Sequence, residues 1–142
     1  MEAHLTYQVL PGWRLRTGYA FFDSDVRVKS GKEDFNNALN ETADPRHRLT
    51  LQSFTNLTKH LEFDLSFRWV DSFHYNDVGV ARSVDEYAEL DARIAWLPSS
   101  RVELSVVGQN LLNDHHVEYV ISNPNPMAAV ERSVYGKIVW RW

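Results

Sequence analysis

The segment Leu61-Glu62-Phe63-Asp64-Leu65-Ser66-Phe67-Arg68-Trp69 alternates apolar and polar residues without a break. Successive side chains of a strand point to opposite faces, so the apolar groups here share one side and the polar groups the other. Wound as a helix, the same residues would scatter around the axis. The alternation recurs at Leu90, Ala92, Ile94 and Trp96 against Glu89, Asp91 and Arg93. It returns at Val102, Leu104 and Val106 against Glu103 and Ser105, and at Val134, Ile138, Trp140 and Trp142 against Ser133, Lys137 and Arg141. Further strands are expected at 3–10 and at 13–22, where Trp13, Leu15, Tyr19 and Phe21 oppose Arg14 and Arg16. The segment 46–56 is less regular, with only Leu49 and Leu51 on its apolar face. The reading is all-β, with about seven strands and no helix.

The links between these strands alternate in length. Pro11-Gly12, Asn56 to His60 and Leu97 to Arg101 are short, while 23–45, 71–86 and 113–130 are long and polar. Strict alternation puts all the long links at one end of the sheet. An up-and-down transmembrane barrel has this form, with short periplasmic turns and long extracellular loops. No stretch reaches the roughly 18 consecutive apolar residues of a membrane helix. A mean hydropathy of −0.40 is compatible with a barrel wall, because half of each spanning strand faces a polar interior.

Two features direct the apolar face outward. The strands just named carry their charges on the polar face, and a charge facing lipid costs about 2–4 kcal/mol near the midplane. All five tryptophans, Trp13, Trp69, Trp96, Trp140 and Trp142, fall on the apolar phase and near strand ends. Aromatic girdles at the two membrane interfaces occupy such positions. The sequence also finishes inside an alternating aromatic run, Val134 to Trp142, as outer-membrane proteins do when they present a C-terminal signal to their assembly machinery.

Composition narrows the function classes. The net charge of −4 supplies no basic face for nucleic acid, and the absence of cysteine removes thiol catalysis and Cys-ligated zinc. The run Asp114-His115-His116-Val117-Glu118 has metal-ligand residue types, without the spacing of a helical zinc motif. The carboxylate pairs Glu62/Asp64 and Glu89/Asp91 lie two apart on one strand face, where they are expected to line an interior and pair with Arg68, Arg93 or Arg46. There is no Gly-rich phosphate loop and no Gly-x-Ser-x-Gly. The expectation is a protein that is not an enzyme and carries no cofactor or metal.

Gly108-Gln109-Asn110-Leu111-Leu112-Asn113, followed by His116-Val117-Glu118, resembles the segment that ends the penultimate barrel strand of TonB-dependent outer-membrane receptors. Glu131-Arg132-Ser133-Val134-Tyr135-Gly136 resembles the start of their final strand. Weaker matches occur at Pro45-Arg46-His47, Trp69-Val70-Asp71 and Leu90-Asp91-Ala92-Arg93. The resemblance implies a role for Gly108, Gln109, Asn110, Leu111, Leu112, His116, Glu118 and Arg132 as family-motif residues, with His116 and Glu118 anchoring a loop. It implies residues 1–142 as the C-terminal portion of a larger barrel in a Gram-negative outer membrane, with plug and N-terminal strands absent. The whole receptor takes up a scarce ligand such as a siderophore–iron complex, and the segment alone is expected to transport nothing. Implied partners are outer-membrane lipid, the remaining strands and plug, the barrel assembly machinery through the last strand, and TonB through the missing plug. The alternatives are another outer-membrane barrel or porin, and a small soluble β-barrel that binds an apolar ligand with Phe63, Leu65, Leu104 and Val106 pointing inward.

Overall fold

A computed structural model describes residues 1–24, 30–31, 33, 44–77, 80–119 and 128–142. The regular elements are β1 (Glu2–Leu10), β2 (Trp13–Phe21), β3 (His47–Asn56), β4 (Leu61–Val70), β5 (Phe73–Asp77), β6 (Val80–Val84), β7 (Tyr87–Ser99), β8 (Val102–Gln109), β9 (His115–Tyr119), β10 (Ala128–Glu131) and β11 (Ser133–Trp140). Seven of them form one sheet in the order β1-β2-β3-β4-β7-β8-β11. Every neighbouring pair is antiparallel, so the sheet runs up and down in chain order. The other four make two-stranded hairpins, β5–β6 and β9–β10, set within the long links 71–86 and 113–130. Most of the third long link, 23–45, lies outside the described residues.

Register aligns the apolar phase of each strand with that of its neighbours. Leu49 stands opposite Trp69, Leu51 opposite Phe67, Phe67 opposite Leu90, Ile94 opposite Val106, and Leu104 opposite Ile138. A slip of one residue in any pairing would turn a whole strand inside out. The apolar face is the exposed one: Ile138 keeps 75% of its surface, Val134 68% and Leu5 61%. Of the buried main-sheet residues, Gly18, Val70, Ala95, Glu103 and Ser105 fall on the polar face, and Gly108 alone falls on the apolar phase. Burial and polarity are thus inverted relative to a soluble β-domain, whose apolar face packs inward. Among the described residues the sheet is open, with β1 and β11 at its edges, and it encloses no apolar interior.

The short-link end is stitched by main-chain bonds. Gly12 takes φ +88°, a left-handed conformation that closes the tight turn, and its carbonyl accepts from Asn56 N at 2.7 Å. Leu97 N donates to His60 O at 2.8 Å, and Arg141 N to Arg101 O at 2.8 Å. One expected link is shorter than its composition suggests. β7 continues through Pro98 to Ser99, with a register shift between Trp96 and Ser99, so only Ser100 and Arg101 turn. A proline cannot donate to the ladder, and a bulge is where a strand tolerates one.

Candidate functional site

The polar face carries a charge network across three strands. Arg93 on β7 lies directly opposite Asp64 on β4 and donates to it at 2.6 Å. The same guanidinium reaches Glu62 at 3.1 Å and Glu103 of β8 at 2.7 Å. Arg141 adds a second contact to Glu103 at 3.3 Å. One planar, five-donor cation can satisfy three carboxylates at once, which a lysine cannot do with the same geometry. The arrangement is a cross-braced wall, with each carboxylate already held by a cation.

A second cluster sits at the long-link end. Arg68 of β4 binds Glu89 of β7 through Nε at 2.7 Å, and its guanidinium lies over the Tyr87 ring at 5.6 Å. His116 of β9 places Nε2 2.9 Å from the other oxygen of Glu89 and stacks on Tyr87, with ring centroids 4.5 Å apart. Glu89 therefore joins the top of the main sheet to the β9–β10 hairpin. Of the partners expected for the paired carboxylates, Arg68 and Arg93 serve, while Arg46 instead faces Asp23 at 3.5 Å. Among the described residues Asp91 pairs with no arginine; it accepts the main-chain N–H of Asn110 at 3.0 Å.

The block Gly108 to Asn113 forms the turn between this cluster and β8. Asn110 takes φ +51°, a region open to Asn at lower cost than to most residues, and is 2% exposed. Its side-chain amide donates to Val130 O of β10 at 3.0 Å. Leu111 N returns to Leu90 O at 2.9 Å, and the Asn113 amide reaches Ala88 O at 2.6 Å. Leu111 packs against Gly108: a Cβ there would meet Leu111 Cδ2 at 2.9 Å, so the leucine side chain would have to shift. Gln109 ends β8 opposite Ser133, whose hydroxyl donates to its side-chain oxygen at 3.4 Å. Leu112 is half exposed, and Arg132 pairs with Asp114 at 3.1 Å beside a main-chain bond between the same residues. Glu118 lies in β9, outside the residues whose side chains are described. Among the described residues no three acidic or histidine side chains converge on a point where a metal could sit.

The tryptophans mark both ends of the apolar face. Trp13 opens β2 and donates from Nε1 to Ser53 Oγ at 3.0 Å. Trp96 faces Leu61 and Leu104 beside the β7 bulge, and Trp140 closes β11, with Trp142 beyond it. These four lie toward the short turns; Trp69 lies at the opposite end, across β3 from Tyr19 and Phe21 of β2 and near His47, which opens β3. There the Tyr19 hydroxyl meets His47 Nδ1 at 2.7 Å, and the Phe21 ring lies 5.2 Å from the same imidazole.

No family model matches the chain. Solved structures do. The siderophore receptor PiuA from Acinetobacter baumannii superimposes with a TM-score of 0.75 at 21% identity, over 98% of this chain and 21% of that one. The ferric-catecholate import receptor Fiu from E. coli K12 gives 0.74 at 17% identity, over 98% and 20%. The fold is that of a segment of a siderophore-receptor barrel. A ferric enterobactin receptor, PfeA from Pseudomonas aeruginosa, agrees at TM-score 0.72 and 14% identity, over 98% and 21%. The chain thus spans about a fifth of the length of the chains it resembles.

Within the segment, sequence reasoning singled out neither Tyr87 nor Phe54 of β3. Phe54 sits on the polar face with Arg14 and Arg16 over its ring at 5.1 and 5.8 Å. The available signal for it was an aromatic out of phase with Leu49 and Leu51.

Proposed function

We propose that residues 1–142 form the C-terminal part of the transmembrane barrel of a TonB-dependent outer-membrane receptor that imports a scarce ligand of the siderophore–iron class. The observation that carries this reading is the inverted sheet: an exposed apolar face, a charge-braced polar face, and receptor barrels matched over 98% of the chain. In this reading the apolar face meets lipid and the Arg93 network lines the lumen. β2, with 9 residues, measures about 26 Å at ~3.3 Å per residue, and tilted by ~40° it rises roughly 20 Å, comparable with the ~25 Å apolar band of such barrels. Trp13, Trp96, Trp140 and Trp142 belong to the periplasmic interface and Trp69 to the outer one.

The long links are then extracellular, and Gly108 to Asn113, His116, Glu118 and Arg132 anchor the last of them to the rim. The remaining strands close the sheet, since unpaired strand edges cannot remain in lipid. A plug fills the lumen and carries the contact to TonB; the final strand addresses the assembly machinery. The chain's part is structural and ligand-guiding, not catalytic. The exposed apolar face argues against a soluble ligand-binding barrel, which would hide Val106 and Ile138.

Immunoblotting of fractionated cells with an antibody to the 113–130 loop tests this reading. The expected band lies in the outer membrane, several times heavier than the 16.5 kDa of these residues. A soluble band at 16.5 kDa would overturn the reading.

A further inference from the structure

The apolar face is notched at one place. Ile94 of β7, Val106 of β8 and Gly136 of β11 form a cross-strand row, and Leu61, Trp96, Leu104 and Ile138 form the next. Gly136 is thus a gap in a run of exposed side chains, between Val134 and Ile138. The two rows border an apolar groove of about 510 Å³, open to the outside and within the roughly 300–1,000 Å³ of small-molecule seats. Neither of the usual reasons for a glycine applies. Gly136 does not take a positive φ, and an added Cβ would find its nearest atom beyond the chain neighbours, Ser105 O, at 4.0 Å. The missing side chain leaves room that nothing among the described residues fills.

Cations stand at the near rim. Past Ile138 the strand reaches Trp140 opposite Val102, and Arg141 N bonded to Arg101 O sets the β7–β8 turn beside it. From Val106 to Arg101 of that turn is about 16 Å along β8 at ~3.3 Å per residue. The short links 11–12, 57–60 and 100–101 at this end contain Lys59, His60 and Arg101 and no carboxylate side chain. Lys59 and Arg101 are exposed, and among the described residues neither has an ion pair.

We propose that the notch at Gly136 seats one acyl chain of a phospholipid from the periplasmic leaflet, with Arg101 on its phosphate. The proposal rests on the receptor-barrel reading and names a lipid contact within it. Two observations select the occupant. The groove is continuous with the lipid-facing surface, so hydrocarbon meets it, and a rim of cations without carboxylates complements an anionic headgroup. Trp96 and Trp140 stand between the two, at the level where aromatic rings bracket the apolar band. A chain lying between Val106 and Ile138 recovers the dispersion contacts that the absent side chain forgoes.

Photolabelling of the full-length receptor tests the seat. The receptor is reconstituted in phosphatidylcholine vesicles carrying a small fraction of phosphatidylglycerol with a diazirine midway along one acyl chain. Adducts are expected at Ile94, Val106 and Ile138 several-fold above those at Leu5 and Leu51, exposed residues of the same face. G136L, which fills the notch, should abolish the excess and keep heat-modifiable mobility; if it fails to assemble, the map of the unsubstituted receptor decides alone. R101Q should lower the excess several-fold, and an unchanged excess would overturn the phosphate contact. Even labelling across the face would mean ordinary lipid contact only, overturning the seat and leaving the receptor reading standing. Label at Leu5 and Leu51 but none in the groove would mean that a polypeptide covers it, and would overturn the seat equally. Label confined to the polar face would overturn both.

Discussion

Arg93 and Asp64 face each other across β4 and β7, and the 2.6 Å contact between them is the centre of a bridge from β4 to β8. Three carboxylates converge on one guanidinium that keeps 26% of its side-chain surface. Removing the cation would leave three anions facing one another in a partly desolvated wall. For Arg93→Ala the expected loss of barrel stability is on the order of 3 kcal/mol, read from the temperature at which the heat-modifiable band shifts. Arg93→Lys should fall between, because one ammonium cannot reach all three carboxylates with good geometry.

The two faces of β4 should respond oppositely to a charge. Leu65→Arg places a cation on the apolar face and is expected to cost about 2–4 kcal/mol, seen as less folded receptor in the outer membrane. Ser66→Arg, one residue on and on the polar face, should assemble normally. Equal behaviour of the two would count against the assignment of faces.

Gly108 and Leu111 should be energetically coupled. An added Cβ at Gly108 would lie 2.9 Å from Leu111 Cδ2, the mobile end of a flexible side chain. Gly108→Ala is therefore expected to cost only about 1 kcal/mol, and Gly108→Val more. In a double-mutant cycle, Leu111→Ala should relieve much of the Gly108→Ala penalty. Strict additivity would mean that Leu111 does not lie over Gly108.

Asn110 ties the last long link to the sheet through Val130 O and through its own left-handed backbone. Asn110→Ala is expected to cost roughly 1–3 kcal/mol, since it removes the bond to Val130 O and disfavours the left-handed turn. Limited proteolysis within 113–130 should accelerate. Asn110→Gly should rescue the backbone but not the bond, giving an intermediate rate.

Much of the architecture can be read from side-chain parity. The alternation from Leu61 to Trp69 assigns both faces of β4, and parity then carries across every pairing in the sheet. The β7 bulge was not legible, because it depends on how Pro98 meets a ladder with no proton to give. Nor were β5–β6 and β9–β10: Phe73-His74-Tyr75-Asn76-Asp77 shows no clean alternation, and no Asn-Gly turn announces either hairpin. The rim block was visible only as a resemblance. Its physical reasons, the positive φ of Asn110 and the space Gly108 leaves for Leu111, are three-dimensional. Arg46 was a candidate partner for the carboxylate pairs by charge alone; its contact is with Asp23, beyond the end of β2.

The most direct test of the central claim compares two adjacent residues. Nitroxide spin labels at Leu65→Cys and Ser66→Cys, in the full-length receptor reconstituted into lipid vesicles, report collision with oxygen or with a polar nickel chelate. Lipid exposure of the apolar face predicts high oxygen and low nickel accessibility at position 65, and the reverse preference at 66. Nickel access at 65 with a lipid-like response at 66 would contradict it, and would turn the sheet the other way out.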